Sequence, residues 1–180
     1  MRIVAGKLRH RIIDMTNLDT TRETQDKVRG AIYNMIGPYF DGGVALDLFA
    51  GSGAMGIEAY SRGINKIYLN DLNNEALNVC KKNCKSLGIS DVVFTNMDYQ
   101  GFLDNNKVLF DLIILDPPYK MDNTDGILKA CYDSVNDKGI VVFEMKLESF
   151  EPKSYKNLHY VKTKPYGIKK VVIYRRDNNE

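Results

Sequence analysis

The sequence contains few of the residues that build metal centres or disulfide-linked secreted domains. Only three cysteines and two histidines occur in 180 residues. The cysteines, Cys80, Cys84 and Cys131, are odd in number and lie in segments with helical patterns, so we expect reduced, buried thiols. Cys80 and Cys84 share a helix face, but no second pair of cysteines or histidines completes a zinc site, and we therefore expect no metal.

The chain also lacks any apolar run near the ~20 residues that span a bilayer. Its first ten residues lack the apolar segment of a signal peptide, and no repeat, low-complexity tract or long linker occurs. The composition, 44% hydrophobic and 27% charged residues, is typical of a globular protein with a real core. We therefore expect one cytoplasmic domain, monomeric and without a membrane contact.

Net charge is only +2, but basic residues cluster at both ends of the chain. Residues 1–13 carry four basic residues and no acid, namely Arg2, Lys7, Arg9 and Arg11. Residues 151–176 carry eight lysines and arginines against Glu151 alone. For the N-terminal cluster we favour contact with a polyanion. For the C-terminal cluster, lysines that protect edge strands from aggregation explain the charge equally well.

From residue 44 onward, strand and helix patterns alternate. Strands are predicted at 44–49, 66–70, 91–95, 111–115 and 139–145, helices at 54–62, 74–87 and 124–135, and a closing hairpin at 158–163 and 168–174. This order predicts a Rossmann-like α/β fold: a mostly parallel seven-stranded sheet with helices on both faces and an antiparallel terminal strand. The single domain, 1–180, then comprises a basic N-terminal β-hairpin extension (1–20), an N-terminal helix (21–40) and the Rossmann-like core (44–176).

The first core strand leads into a glycine-rich loop, Asp47-Leu-Phe-Ala-Gly51-Ser-Gly53-Ala-Met-Gly56. A G-x-G-x-x-G motif between a strand and a helix lets a ligand approach the backbone closely. Asp71 follows Gly51 by twenty residues, where an acid binds both ribose hydroxyls of a nucleoside. Asp47 near the mouth would repel a pyrophosphate but suits an ammonium or sulfonium group. This combination favours S-adenosylmethionine, which leaves as S-adenosylhomocysteine, over a nicotinamide dinucleotide.

Asp98, after the third strand, is a candidate for binding the adenine amino group, although an Asp that caps a loop explains its position equally well. The complete set of candidate cofactor-binding residues is Asp47, Phe49, Gly51, Ser52, Gly53, Asp71, Leu72, Asp98 and Tyr99.

The fourth core strand ends in Asp116-Pro117-Pro118-Tyr119. In this fold the fourth strand lies beside the first, so Asp116 should lie next to a methyl donor at the glycine loop. A carboxylate and a rigid Pro carbonyl can both accept hydrogen bonds from an exocyclic amine and stabilise its developing positive charge. The ring of Tyr119 offers a face on which an extruded base can stack. We predict Asp116, Pro117, Pro118 and Tyr119 as the catalytic residues.

Several stretches resemble the bacterial 16S rRNA guanine-N2 methyltransferases of the RsmD type. They are the opening MRIVAGKLRHR, the segment TRETQDKVRGAIYN, DLFAGSGAMGIEAYSRG, DPPY and the ending YG…VVIYRR, and they extend over nearly the whole chain. The resemblance implies a class I methyltransferase fold and methylation of one guanine N2 in 16S rRNA, within a small-subunit particle or assembly intermediate. It matches Asp116 and Tyr119 to the catalytic motif, and Asp47, Gly51, Gly53 and Asp71 to the cofactor motifs.

The resemblance also matches Arg22 and Arg29 to basic positions of the N-terminal region, which completes the predicted RNA-binding set of Arg2, Lys7, Arg9, Arg11, Arg22 and Arg29. Two departures from the family occur. Glu23 stands where the family usually has Pro, which affects how Arg22 is positioned. Asp71 stands where Glu is common, and either acid can reach a ribose.

Three other readings share these motifs. A DNA adenine-N6 methyltransferase would use the same Asp-Pro-Pro-Tyr chemistry, but it normally needs a target-recognition region for which this chain has no spare residues. A protein-glutamine N5 methyltransferase usually has Asn before Pro-Pro. A non-enzymatic RNA-binding module with a vestigial pocket is disfavoured by the intact motif of residues 116–119.

Overall fold

The computed structural model describes residues 1–17 and 25–178. Within those ranges seven strands occur, and they are β1 (Val44–Asp47), β2 (Lys66–Asn70), β3 (Val92–Thr95), β4 (Phe110–Leu115), β5 (Val135–Lys146), β6 (Leu158–Tyr166) and β7 (Lys169–Arg176). The same ranges contain five α-helices, α1 (Asp26–Ile36), α2 (Ala54–Ser61), α3 (Asn74–Ser86), α4 (Tyr99–Asn105) and α5 (Thr124–Cys131), with a 3₁₀ turn at Tyr132–Ser134.

All seven strands form one sheet in the order β3-β2-β1-β4-β5-β7-β6. Strands β1 to β5 pair in parallel, whereas β7 is antiparallel to both β5 and β6. The predicted sheet, with its antiparallel strand near one edge, is confirmed, as is the pairing of β1 with β4. Chain order reverses at β1, between β2 and β4, and open α/β sheets bind ligands beyond the carboxyl ends of strands at such a point.

The sheet is buried on both faces because its central strands are apolar at consecutive positions. Along β4, Leu112 and Ile114 belong to the core cluster that packs under α1, α2 and α3, while Ile113 and Leu115 belong to the cluster under α4 and α5. A parallel strand that is covered on both faces has this continuous apolar pattern. Helix α4 was absent from the predicted elements.

The N-terminal segment forms a hairpin, but its strand pairing is limited to one antiparallel bridge between Arg2 and Ile12. Of the predicted helix 21–40, the part Asp26–Ile36 is helical, while 21–24 lie outside the described residues. At the other end, β6 continues through Pro165, which was predicted in the turn. A proline fits there because β6 is an edge strand, and the side of its backbone without a neighbouring strand needs no hydrogen-bond donor.

Candidate active site

A cavity of about 500 Å³ opens at the carboxyl ends of β1, β2 and β4. Its lining includes residues 47–51, 71–73, 97–99 and 116–119. Each of these segments directly follows a strand or ends one, so the parallel sheet brings them together although they are far apart in the chain. The cavity therefore lies at the position that the strand order predicts.

The glycine loop depends on backbone conformations and close contacts that side chains would disturb. Gly51 and Gly53 have φ values of +57° and +85°, in the left-handed region. A Cβ on Gly56 would lie 2.5 Å from Leu69 Cδ2 and 3.3 Å from Asp47 Cβ. The third glycine thus lets the first turn of α2 pack directly on β1 and β2, which is its role in nucleotide-binding loops.

Helix α3 supports the glycine loop through two hydrogen bonds. The Cys80 thiol donates to the carbonyl of Gly51 at 2.9 Å, and the Asn83 amide donates to the carbonyl of Ser52 at 2.9 Å. Ser52 is fully buried, and neither Ser52 nor Gly53 belongs to the cavity lining among the described residues. In this structure these two residues fix the loop, whereas Gly51 borders the cavity, and the assignment of Ser52 and Gly53 to cofactor binding stays a prediction.

Two acids anchor the loop and line the cavity. Asp71 Oδ2 accepts from the Gly51 N–H at 2.9 Å, and its Oδ1 accepts from the Asn73 N–H at 2.8 Å. These bonds use two of about four acceptor positions of the carboxylate, which leaves capacity for hydroxyl groups of a ligand. Asp47 is only 2% exposed and accepts from the Gly56 N–H at 3.0 Å, in the first turn of α2 where a helix favours negative charge.

Part of the cavity lining is aromatic and apolar. The rings of Phe49 and Tyr99 have centroids 6.0 Å apart, and Leu72 is an exposed side chain of the rim. Asp98 caps α4, because its carboxylate accepts from the Gly101 N–H at 2.6 Å. The capping interpretation of Asp98 is confirmed, and since Asp98 also lines the cavity, its contact with adenine stays a prediction.

The Asp-Pro-Pro-Tyr segment forms the remaining wall. Asp116, Pro117, Pro118 and Tyr119 all line the cavity, and Tyr119 is 46% exposed. The carbonyl of Pro118 accepts from the Met121 N–H at 2.9 Å and so belongs to a turn. The strand end therefore presents an acid and a half-exposed ring to the same space, beside the loop that starts at Asp47.

A lysine that no sequence pattern indicated also contributes to this wall. Lys169 Nζ donates to Asp116 Oδ1 at 2.9 Å, and the two side chains are 25% and 15% exposed. Lys169 is the first residue of β7, and only the pairing of β7 with β5 brings it to the site. A separation of 53 residues carries no local pattern that could have identified the contact.

Charge in the cavity is strongly unequal. Among the described residues, the lining contains four carboxylates, Asp47, Asp71, Asp98 and Asp116, and one cationic side chain, Lys169. A cleft with this excess of negative charge attracts cations and repels a pyrophosphate. The arrangement thus supports a cationic nucleoside ligand over a dinucleotide.

Comparison with known proteins agrees with this geometry. The family model described as Conserved hypothetical protein 95 matches residues 1–175. The chain belongs to this family, the RsmD family. It is 37% identical to YlbH of Bacillus subtilis, over 98% of this chain and 99% of that protein. It is 29% identical to the ribosomal RNA small subunit methyltransferase D of Haemophilus influenzae, over 97% and 93% of the two chains.

A solved structure shows the shared fold. The Escherichia coli protein yhhF superimposes with a TM-score of 0.86 over 98% of both chains, at 24% identity. The seven-stranded sheet, its antiparallel strand and its flanking helices are those of class I methyltransferases.

The basic residues of the family's N-terminal region are exposed but distant from the cavity. Arg2, Lys7, Arg9 and Arg11 are all exposed. The Lys7 N–H donates to the carbonyl of Ser61, the last residue of α2, and Arg11 donates to the carbonyl of Ser86, the last of α3. Both helices begin beside the cavity, so these contacts lie about 10 to 20 Å along the helices from it. Their contact with RNA stays a prediction.

Arg29 does not fit its predicted role. Its side chain is 1% exposed, and its Nε lies 3.2 Å from Glu58 Oε1, while an Nη donates to Asp26 at 3.0 Å. A guanidinium that is buried in this way has no surface to offer to a phosphate. The prediction that Arg29 binds RNA is wrong, and its role is structural. Arg22, the other position matched to the family, lies outside the described residues.

The three thiols are reduced and buried, as expected. Burial raises the pKa of Cys84 to about 12 and that of Cys131 to about 12, so neither thiol ionises near neutral pH. In the parts of the chain that the structure covers, no group of three or more metal-ligating side chains occurs. Over residues 1–17 and 25–178, no helix is long and apolar enough to cross a membrane.

Proposed function

We propose that this protein transfers a methyl group from S-adenosylmethionine to the N2 amine of a guanine in 16S rRNA, in a small-subunit ribosomal particle or assembly intermediate. The observation that carries the proposal is the convergence of Asp116 and Tyr119 with the glycine loop on one acidic cavity. Membership of the RsmD family and the name of the Haemophilus influenzae relative support rRNA as the substrate.

The residues that line the cavity fit S-adenosylmethionine. Asp71 would bind the ribose hydroxyls with its remaining acceptor positions, and Asp47 would attract the ammonium of the amino-acid end. Phe49 and Tyr99 would bind the adenine by ring contacts, with Asp98 as a hydrogen-bond acceptor. A volume of about 500 Å³ lies within the range of cavities that hold ligands of this size.

The acceptors at the end of β4 would activate the amine. When bound, S-adenosylmethionine would supply a sulfonium methyl: the S–C bond would break with its electron pair on sulfur, an N–C bond would form, and the amine would release one proton to water. Asp116 would accept a hydrogen bond from the amine and stabilise its positive charge as the bond forms. Because the Pro118 carbonyl serves the turn with Met121, we assign the second acceptor to the carbonyl of Pro117.

Tyr119 would hold the target base by stacking. Its half-exposed ring lines the cavity beside Asp116, so a base on that ring would present its edge to the carboxylate. Stacking of one base on an aromatic side chain contributes about 1 to 3 kcal/mol. Extrusion of the guanine from its RNA costs a similar amount, which the ring offsets.

Transfer of labelled methyl groups to four different substrates tests the proposal. The protein is incubated with methyl-labelled S-adenosylmethionine and, in separate reactions, with unmodified small ribosomal subunits, naked 16S rRNA, DNA and a peptide release factor. We expect label in the RNA of the subunits. Label confined to DNA would indicate an adenine-N6 methyltransferase, label confined to the release factor a glutamine methyltransferase, and no label with any substrate a non-enzymatic RNA-binding protein.

A further inference from the structure

Two lysines lie side by side next to the Asp-Pro-Pro-Tyr wall, and one of them, Lys169, lines the cavity. Lys146, the last residue of β5, is directly opposite Lys169, the first residue of β7, in the antiparallel register. We call Lys146 and Lys169 the lysine pair. Their side chains are 18% and 25% exposed, so both are partly withdrawn from water. Placing two partly buried cations next to each other is unfavourable unless both have anionic or aromatic partners.

Each lysine contacts one group of the Asp-Pro-Pro-Tyr motif. Lys169 Nζ lies 2.9 Å from Asp116 Oδ1, and Lys146 Nζ lies 5.0 Å from the centroid of the Tyr119 ring. Lys146 is also 3.7 Å from a carboxylate oxygen of Asp122. The lysine pair thus engages a carboxylate oxygen and a ring, which are the two groups that the proposed function assigns to the target base.

These contacts conflict with a role in cofactor binding. Cations beside the cavity would repel a sulfonium donor, whose charge the four carboxylates of the lining favour. A nucleotide that enters the cavity from RNA, by contrast, carries a phosphate on each side of its ribose. Lysine is a flexible point charge that binds phosphate readily, and its long stem can move the ammonium over several ångströms.

We propose that the lysine pair binds the phosphates that flank the target nucleotide. The movement of the two ammonium groups to the phosphates then frees Asp116 and Tyr119 for the base. The inference rests on the proposed function. In the RNA-free protein Lys169 occupies one carboxylate oxygen of Asp116, and Lys146 lies over part of the half-exposed ring of Tyr119. When the RNA backbone arrives, both ammonium groups exchange one partner for a phosphate, and the base then meets the carboxylate and the ring face. A guanosine without flanking phosphates would have to displace the lysines unaided.

The test compares two double variants. In K146M/K169M the lysine pair is replaced by side chains of similar length without charge. In the control, K162M/K164M, two exposed lysines of the edge strand β6 are replaced in the same way, and neither contacts residues 116–119 in this structure. Binding of a 16S rRNA fragment is measured by fluorescence anisotropy between 50 and 300 mM KCl, and methyl transfer to the fragment and to guanosine is measured separately.

For K146M/K169M we expect the slope of log K against log salt to become shallower by about 1.4 to 1.8, because each lost phosphate contact contributes about 0.7 to 0.9. At 0.1 M salt this corresponds to about 25- to 60-fold weaker RNA binding. We expect kcat/KM for guanosine, which has no flanking phosphates, to rise at least tenfold, because the Lys169 ammonium no longer competes for Asp116. The control should differ from the wild type by less than half of the slope change.

Several results would overturn the inference. A wild-type slope in K146M/K169M would show that the lysine pair does not contact phosphate, and an equal change in both double variants would show that only total charge matters. An unchanged kcat/KM for guanosine would remove the covering role. Thermal denaturation shows whether K146M/K169M is folded. The single variants K146M and K169M should each show about half of the slope change. If the wild type methylates no RNA, the proposed function fails instead, independently of the slopes.

Discussion

Replacement of Glu58 by Gln should destabilise the whole domain, because this carboxylate joins the N-terminal segment to the core. Glu58, on α2, is fully buried. Its Oε1 accepts from the Val4 N–H at 2.8 Å and from Arg29 Nε at 3.2 Å. Its Oε2 accepts from the Ala5 N–H at 3.1 Å and from Arg62 Nε at 2.9 Å. One acid therefore satisfies two backbone donors and two buried cations.

The magnitude follows from what Gln cannot supply. Its amide keeps the volume and one acceptor but removes the charge, and its NH₂ group faces donors. Removing one partner of a buried ion pair costs about 3 to 5 kcal/mol, since the remaining charge stays buried. Domains are stable by about 5 to 15 kcal/mol, so the loss is a large fraction of the total. For a chain of this size we expect Tm to fall by about 6 to 20 °C.

Urea denaturation followed by circular dichroism measures the free energy of unfolding of E58Q against the wild type. E148Q is the matched control, because Glu148 is exposed, and we expect it to change stability by less than about 0.5 kcal/mol. If E58Q were as stable as E148Q, the buried network would not hold the N-terminal segment. The structural role assigned to Arg29 would then be refuted as well.

Three further predictions concern the cavity and the thiols. D71N should weaken binding of S-adenosylhomocysteine about 10- to 150-fold in calorimetry, because hydrogen bonds to charged groups contribute about 1.5 to 3 kcal/mol; unchanged affinity would remove Asp71 from the ribose site. Y119A should raise KM for RNA about 5- to 150-fold, whereas Y119F should keep most activity, and equal damage in both would show that the hydroxyl matters. Because burial raises the pKa of Cys84 and of Cys131 to about 12, a thiol reagent at pH 8 should label both only after unfolding, and rapid labelling of the folded protein would contradict their burial.

Local patterns predicted most of the core, since its elements bury strongly apolar faces. The strand Lys66–Asn70 was predicted with its observed bounds. The predicted helix 74–87 extends one residue beyond the observed Asn74–Ser86, which Asn73 caps by accepting from two N–H groups of the first turn. Helix α4 was missed because its seven residues include a glycine and two polar residues near its end, so no apolar period is visible.

Contacts between distant segments set the limit of the sequence analysis. Arg29 is basic and lies in a region matched to RNA binding. Its partner Glu58 belongs to another helix, so its burial was not visible in the sequence. Ser52 belongs to the predicted loop, yet its backbone carbonyl is held by the amide of Asn83, 31 residues later. Lys169 reaches Asp116 only through the register of β5 and β7. For Arg29 and Ser52 the segment was identified correctly, whereas Lys169 belonged to no predicted site, and in all three cases tertiary packing decided the contacts.

The most direct test asks which atom receives the methyl group and whether Asp116 is needed. Unmodified small subunits are incubated with S-adenosylmethionine and either the wild type or D116A, and the nucleosides of 16S rRNA are then identified by mass spectrometry. We expect N2-methylguanosine with the wild type and none with D116A. The affinity of D116A for S-adenosylhomocysteine should stay within about threefold, because this product lacks the sulfonium charge that the lining carboxylates favour and the proposed mechanism assigns Asp116 to the amine. Full activity in D116A, or methylation of a different atom, would contradict it.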